Sequence, residues 1–208
     1  MADILIDDES VPSAPAAATG LIYNDSISKI LTERTSVKVA SVGAVRNQSA
    51  AAQAFTTSEI YLTGSSLTIP SHLIQVGATF TWRVVATKTA GTAAPVFKIK
   101  IGTLGTTGDA DIVTFTGFAT PSSATDTAWV DIMLIIRTTG ASATSEGAIR
   151  MAHQLSATGW ANLDHAVQRV DGTAFNSTTA NLIAGVTFNH STAGAGNIEI
   201  VTAELVNS

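Results

Sequence analysis

Ala128-Trp-Val-Asp-Ile-Met-Leu-Ile-Ile-Arg137 is the most apolar window of the 208-residue chain, and its reading decides the fold class. It is short and rich in β-branched residues, which favours a strand over a helix. Side chains of a strand alternate between two faces, so Val130, Ile132, Leu134 and Ile136 share one face while Trp129, Met133 and Ile135, interrupted by Asp131, share the other. An antiparallel strand with one solvated face alternates apolar with polar. Here the second face is also mostly apolar, and either a second sheet of the same chain or a neighbouring subunit has to cover it. The expectation is a central strand of a β-sandwich, with Trp129, Met133 and Ile135 at a subunit interface.

On both sides of this strand, short runs of alternating character are separated by Gly, Ser, Thr, Pro and Asp. Strands are predicted at 55–62, 79–88, 96–101, 112–116, 129–138, 148–155, 163–170, 183–188 and 198–205. Turns fall at Thr63-Gly64-Ser65, Ala90-Gly91-Thr92, 102–109 and 192–196. Many short strands with regular turn signals and no helical stretch predict an all-β fold, an antiparallel sandwich or barrel, and about eight body strands is the number of a jelly roll. Alternation also proposes the core: Phe80, Trp82 and Val84; Phe97, Ile99 and Ile101, with Lys98 and Lys100 pointing to water; Val113 and Phe115; Ile149, Met151 and Leu155; Val186 and Phe188.

The N-terminal part has a different texture. Residues 1–19 combine an acidic segment around Ile4-Leu5-Ile6 with Pro12, Pro15 and an alanine run. Each proline biases its predecessor to extended conformations, so this segment reads as an extended arm; a free tail and a docking arm both fit, and the docking arm is the expectation. Residues 20–54 read as a β-hairpin module and linker: Leu21-Ile22-Tyr23 as one strand, Asn24-Asp25-Ser26 as the turn, 27–35 as the return strand and 41–54 as the crossing segment. Residues 55–208 form the jelly-roll body.

Composition narrows the function classes. Charged residues make up only 13% of the chain, about half the average share, and Ala, Thr, Ser and Gly take their place. Such a smooth surface suits packing against copies of the same chain. Asp3, Asp7, Asp8 and Glu9 supply four charges of the net −5, which leaves 12 acidic and 11 basic residues nearly balanced in the rest. With no basic stripe to neutralise phosphates, a nucleic-acid partner is not expected. No run approaches the ~20 apolar residues of a membrane-spanning helix, so no membrane partner is expected, and the acidic start at Asp7-Asp8-Glu9 contradicts a signal peptide. The absence of cysteine excludes disulfides and thiolate metal sites.

Each candidate for chemistry meets a simpler explanation. Gly102-Thr-Leu-Gly-Thr-Thr-Gly108 lacks the Gly-Lys-Ser/Thr ending of a phosphate loop and reads as a turn. Asp109, Asp111, Asp126 and Asp131 have no EF-hand spacing and read as loop carboxylates. His153 falls on an apolar strand face, and the adjacent Asp164 and His165 point to opposite faces. No Gly-x-Ser-x-Gly or His-Glu-x-x-His motif occurs. The expectation is a protein that is not an enzyme, with no catalytic residue, no cofactor and no metal.

Several stretches nevertheless resemble a known class. Pro12-Ser-Ala-Pro-Ala-Ala-Ala-Thr-Gly20-Leu-Ile-Tyr-Asn-Asp25 resembles the N-terminal module of tailed-bacteriophage virion proteins, and Ile60-Tyr-Leu-Thr-Gly-Ser65, Val76-Gly-Ala-Thr-Phe-Thr-Trp-Arg83, Lys88-Thr-Ala-Gly-Thr-Ala-Ala-Pro95 and Ile101-Gly-Thr-Leu-Gly-Thr-Thr-Gly-Asp109 are similar to a recurrent phage structural domain. The resemblance covers nearly the whole chain through strand and turn texture, and no family site residue transfers. It implies a homotrimeric jelly-roll protein of the virion: a capsid decoration (cement) protein, a head fibre or a tail fibre. The capsid reading makes Ile4, Leu5, Ile6, Asp7 and Asp8 the docking contact to a major capsid protein or another virion protein. The tail-fibre alternative implies binding to a host surface glycan, for which Trp160 between Gly159 and Ala161 is the one clear loop aromatic.

Overall fold

The computed structural model describes residues 21–25, 30–34, 39–42, 44–69, 74–116, 118, 122–155, 158–161, 165–190 and 194–206, and among them there are strands and no helix. The expected docking residues Ile4, Leu5, Ile6, Asp7 and Asp8 lie outside the described residues. The chain divides into two units, one ending at Gly43 and the other beginning at Ala44.

In the first unit β1 (Leu21–Asp25), β2 (Ile30–Arg34) and β3 (Val39–Val42) form an antiparallel meander in that order. The expected hairpin is present, with a third strand added. Asn24 and Asp25 were expected in the turn; they pair with Leu31 and Ile30 and so close β1.

The second unit is the sandwich. Its strands are β4 (Ala44–Gln48), β5 (Gln53–Phe55), β6 (Ile60–Tyr61), β7 (Leu67–Ile69), β8 (Thr79–Ala90), β9 (Val96–Gly102), β10 (Ala110–Phe115), β11 (Asp126–Ile136), β12 (Ser145–His153), β13 (His165–Asp171), β14 (Leu182–Asn189) and β15 (Ala195–Val206). One sheet runs β13-β12-β11-β8-β15-β4, with β5 also on β15; the other runs β10-β9-β14-β6, with β7 also on β14. All pairings are antiparallel. The chain passes between sheets from β5 to β6, β7 to β8, β8 to β9, β10 to β11, β13 to β14 and β14 to β15, a jelly-roll-like connectivity widened by the β12–β13 hairpin. The sandwich begins at Ala44, because Ala44–Gln48 and Gln53–Phe55 pair with β15 and belong to the sheet instead of a linker.

Alternation decides what fills the core. Along β11 the buried positions are Asp126, Ala128, Val130, Ile132, Leu134 and Ile136, and along β8 they include Phe80, Trp82, Val84 and Ala86. They face Phe97, Ile99, Val186 and Phe188 of the other sheet within one apolar cluster. Phe188 lies at its centre, with ring centroids 4.8 Å from Phe55, 4.9 Å from Phe97 and 5.9 Å from Trp160. Burying such side chains stabilises the fold by about 1.5–3 kcal/mol each.

The outward face of the five-stranded sheet corrects one expectation. Lys98 and Lys100 leave the core side of β9, yet Lys100 is 4% exposed. Glu59, just before β6, and Asp111 of β10 fold over them. Lys98 Nζ lies 3.2 Å from Glu59 and 2.8 Å from Asp111; Lys100 Nζ lies 3.5 Å from Glu59 and also pairs with Asp111. Thr187 donates its hydroxyl to Glu59 at 2.6 Å. Burial by itself raises the Glu59 pKa, but the bonds from Thr187 and Lys98 and the charges of both lysines outweigh it and hold the carboxyl below its usual value. Asp111 is lowered in the same way against burial, by Lys100 and then Lys98.

A carboxylate with a depressed folded pKa contributes stability that is present above the unfolded value and is lost as pH falls through the folded one. Glu59→Gln removes the charge opposite a buried lysine and should cost about 1–3 kcal/mol at neutral pH. The gap to the unmodified protein should narrow as pH falls below about 4.5, where the unfolded chain takes up the proton first, and close once the pH has passed below the depressed folded value. Thermal unfolding of both proteins across that range checks this; a gap independent of pH would contradict it.

Candidate assembly face

The expected interface residues lie where the alternation puts them, on the outward face of the seven-stranded sheet. Trp129 is 48% exposed, Met133 is 39% exposed and Ile135 is half-buried. Strand register brings further residues beside them. Across the sheet Ala152, Trp129, Val85 and Ile200 form one row. Val167, Arg150, Asp131, Arg83, Thr202 and Gln48 form the next. Met133 opens onto Ala148 and Thr81, and Ile135 onto Glu146 and Thr79, followed by Val206. Seven large apolar residues are exposed among the described residues, and five of them (Trp129, Met133, Val167, Ile200 and Val206) are on this face.

Ile200 reaches the face through an irregularity in β15. Strict alternation from the buried Ile198 turns Ile200 inward, but the register shifts between Ile198 and Ile200. Beyond this bulge Val201, Ala203 and Leu205 point inward and Ile200 is left 53% exposed. A bulge re-aims side chains in this way. Around Trp129, from Val85 of β8 to the β12 side of the row, Val85, Thr127, Trp129, Ala152 and Gln154 line a shallow, open concavity of about 330 Å³.

The charges of the face are paired within it. Asp131 lies 3.8 Å from Arg83 and 3.2 Å from Arg150, and it accepts the Trp129 indole N–H at 3.0 Å, which fixes the ring. Arg46 meets Glu204 at 2.9 Å, Arg137 meets Glu146 at 2.7 Å, and Arg169 joins both Glu146 and Asp171. Arg169 and then Arg137 bring the Glu146 carboxyl down to about 2. These five are all the arginines of the sandwich, and its three lysines, Lys88, Lys98 and Lys100, are elsewhere. Interfaces between proteins are enriched in aromatic residues, Met and Arg and depleted in Lys.

The other residues singled out by sequence have structural occupations. Asp109 is buried and its carboxylate accepts the backbone N–H groups of Leu104, Gly105 and Thr106 at 3.1, 2.7 and 3.2 Å, which shapes the 102–109 turn. Asp111 serves the lysine pair described above. Among the described residues no group of three His, Asp or Glu side chains is placed to hold a metal. Asp164 is outside the described residues, and His165 begins β13.

Trp160, the expected loop aromatic, is fully buried. Its backbone N–H and its indole N–H donate to the carboxylate and the carbonyl of Asp126 at 3.0 and 2.9 Å. Asp126 also accepts the Leu155 N–H at 3.1 Å and contacts His153 Nδ1 at 2.7 Å, so it ties the 154–161 connection to the start of β11. Lys88, opposite Asp126 in register, is buried under the same ring: Nζ is 5.8 Å from the Trp160 ring centroid and donates to the carbonyls of Gly91, at 3.1 Å, and Ser122. His190 is also fully buried, its ring centroid 5.7 Å from that of Trp160, with neither ring nitrogen bonded among the described residues.

Burial, and then the Lys88 charge, push the His190 pKa down. The unfolded chain therefore takes up a proton first, and stability falls as pH drops below about 6.5. His190→Phe keeps a ring and removes the titration. Its melting temperature should decline less between pH 7.5 and 5.5 than that of the unmodified protein, and parallel curves would contradict the assignment.

No family model and no curated protein matches the chain. Among solved structures the chain matches one titled "Structure of infectious bursal disease virus Gt strain", with 11% identity and a TM-score of 0.22, over 86% of this chain and 49% of that one. This chain thus spans about half the length of the one it matches, and the two superpose too loosely for the likeness to bear on function.

Proposed function

We propose that the protein is a non-enzymatic structural component of a virion, a homotrimer that decorates the capsid as a cement or head-fibre protein. The observation that carries this reading is the outward face of the seven-stranded sheet, which gathers five of the seven exposed large apolar side chains among the described residues. An apolar patch of this kind marks an interaction site on a soluble protein, and its Trp, Met and Arg content is that of an interface core. The sequence resemblance supplies the virion setting. The N-terminal region, with Ile4, Leu5, Ile6, Asp7 and Asp8, is the proposed attachment to a major capsid protein or another virion protein. The glycan-binding tail-fibre alternative is the weaker one, because Trp160 is buried and offers no stacking platform.

Light scattering of the purified chain should give three times the mass of one chain, and a monomer at micromolar concentration would end the trimer reading. Trp129→Asp should shift the protein toward monomer with strand content retained, since an unpaired charge in a packed interface costs on the order of 2–7 kcal/mol. A chain lacking residues 1–19 should remain trimeric with unchanged melting, yet fail to rebind particles stripped of the protein. Full rebinding by the shortened chain would move the attachment to the rest of the molecule.

A further inference from the structure

The apolar row of the candidate assembly face sets a projecting side chain beside a shallow concavity. At the β15 end the bulge lifts Ile200 out of the sheet, 53% exposed. Next to it the concavity around Trp129 runs from Val85 of β8 past Thr127 to Ala152 and Gln154 at the β12 side. Ile200 and Ala152 are separated by the strand steps β15 to β8, β8 to β11 and β11 to β12, and at ~4.8 Å per step this is roughly 14 Å. Val85, the near wall of the concavity, is one strand step from Ile200, but the far wall at Ala152 is out of its reach, and Ile200, 53% exposed, leaves the concavity open.

The charges around the row indicate what approaches it. Five arginines stand against four carboxylates, Asp131, Glu146, Asp171 and Glu204, and each carboxylate is already joined to an arginine of its own chain. With every carboxylate paired and a surplus of one arginine, these groups carry little net charge, and an identical face meets them without a large block of like charge. The Trp129 ring, tied to Asp131 at 3.0 Å, is preset before contact, and a rigid aromatic beside a pocket is the usual anchor of an interface.

The geometry points to a head-to-tail contact in which Ile200 of one copy seats beside Trp129 in the concavity of the next. This rests on the trimeric reading above and specifies its contact: each copy gives its knob to one neighbour and its hollow to the other. Heterologous contacts of this kind close into rings when the rotation permits.

The chain has no cysteine, so every thiol in a test variant is an introduced one. Positions 200 and 152 lie at the surface, and a disulfide forms only where Cα atoms come within about 4.4–6.8 Å. The double variant Ile200→Cys, Ala152→Cys, oxidised as the assembled full chain, should run as a covalent trimer without reductant, with melting before oxidation close to the unmodified protein. Ile200→Cys alone and Ala152→Cys alone should give no covalent species, and a mixture of the two single variants should give covalent dimers only. A double variant that stops at a covalent dimer, or linkage by Ile200→Cys alone, overturns the head-to-tail arrangement in favour of a two-fold one. A trimer by light scattering that shows no crosslink overturns the proposed seat and leaves the trimer standing, whereas a monomer overturns both. Ile200→Ala provides a second readout: it should raise the dissociation constant of the assembly at least tenfold, and an unchanged constant counts against the seat.

Discussion

The indole N–H of Trp82 joins the two sheets. Trp82 is completely buried on β8 of the seven-stranded sheet, where an unpaired N–H costs about 1–3 kcal/mol, and it donates to the Ser65 carbonyl at 2.8 Å. Ser65 is itself fixed to the other sheet, since its hydroxyl accepts the Val186 N–H of β14 at 3.1 Å. One buried donor thus ties the connection before β7, and with it β14, to the seven-stranded sheet, whose Phe80, Val84, Ile132 and Leu134 join Ile99, Val186 and Phe188 of the other sheet in one cluster. Trp82 stacks on Phe80 at 5.9 Å, so the same ring also orders its own strand.

Both sheets turn a second face away from the core, and the chain treats the two differently. Over the five-stranded sheet the Glu59 strap and the Lys98–Lys100–Asp111 group seal the face, and Gly185 allows the Tyr61 ring to lie directly on the β14 backbone, where a Cβ would come within 1.8 Å of the hydroxyl oxygen. The seven-stranded sheet has apolar side chains left open between paired charges. An exposed Trp beside its own hydrogen-bonded carboxylate gains nothing for a lone chain that a polar residue could not supply at lower risk of aggregation. This asymmetry is why the second face is the one proposed for assembly.

Much of the sandwich is legible in sequence because strand alternation is strict where both neighbours are central. β8 and β11 show their core faces residue by residue, and so does the exposure of Trp129 and Met133. The misses have local causes. A bulge breaks the period in β15, and the only trace of it is the phase change from Ile198 to the alternating Val201, Thr202, Ala203, Glu204 and Leu205. Lys100 faces away from the core but not into water, because Glu59, 41 positions earlier in the chain, folds over it. Trp160 sits between small residues that suggest an exposed turn, yet two hydrogen bonds to Asp126 draw it inside. β4 and β5 carry too few large apolar residues to announce themselves, and pairing with β15 alone makes them strands. Long-range partners of this kind leave no periodic mark on the sequence.

The separation of the two basic residue types has a chemical consequence. Every lysine of the sandwich is withdrawn: Lys88 lies under Trp160, while Lys98 and Lys100 are enclosed by carboxylates. The folded sandwich therefore shows solvent its positive charge almost entirely as guanidinium and presents hardly any free primary amine. Acylating and amine-coupling reagents have little to attack on it while it stays folded, so the assembly face keeps its charges through a conjugation reaction. Cargo attached through amines is thereby kept off the folded sandwich.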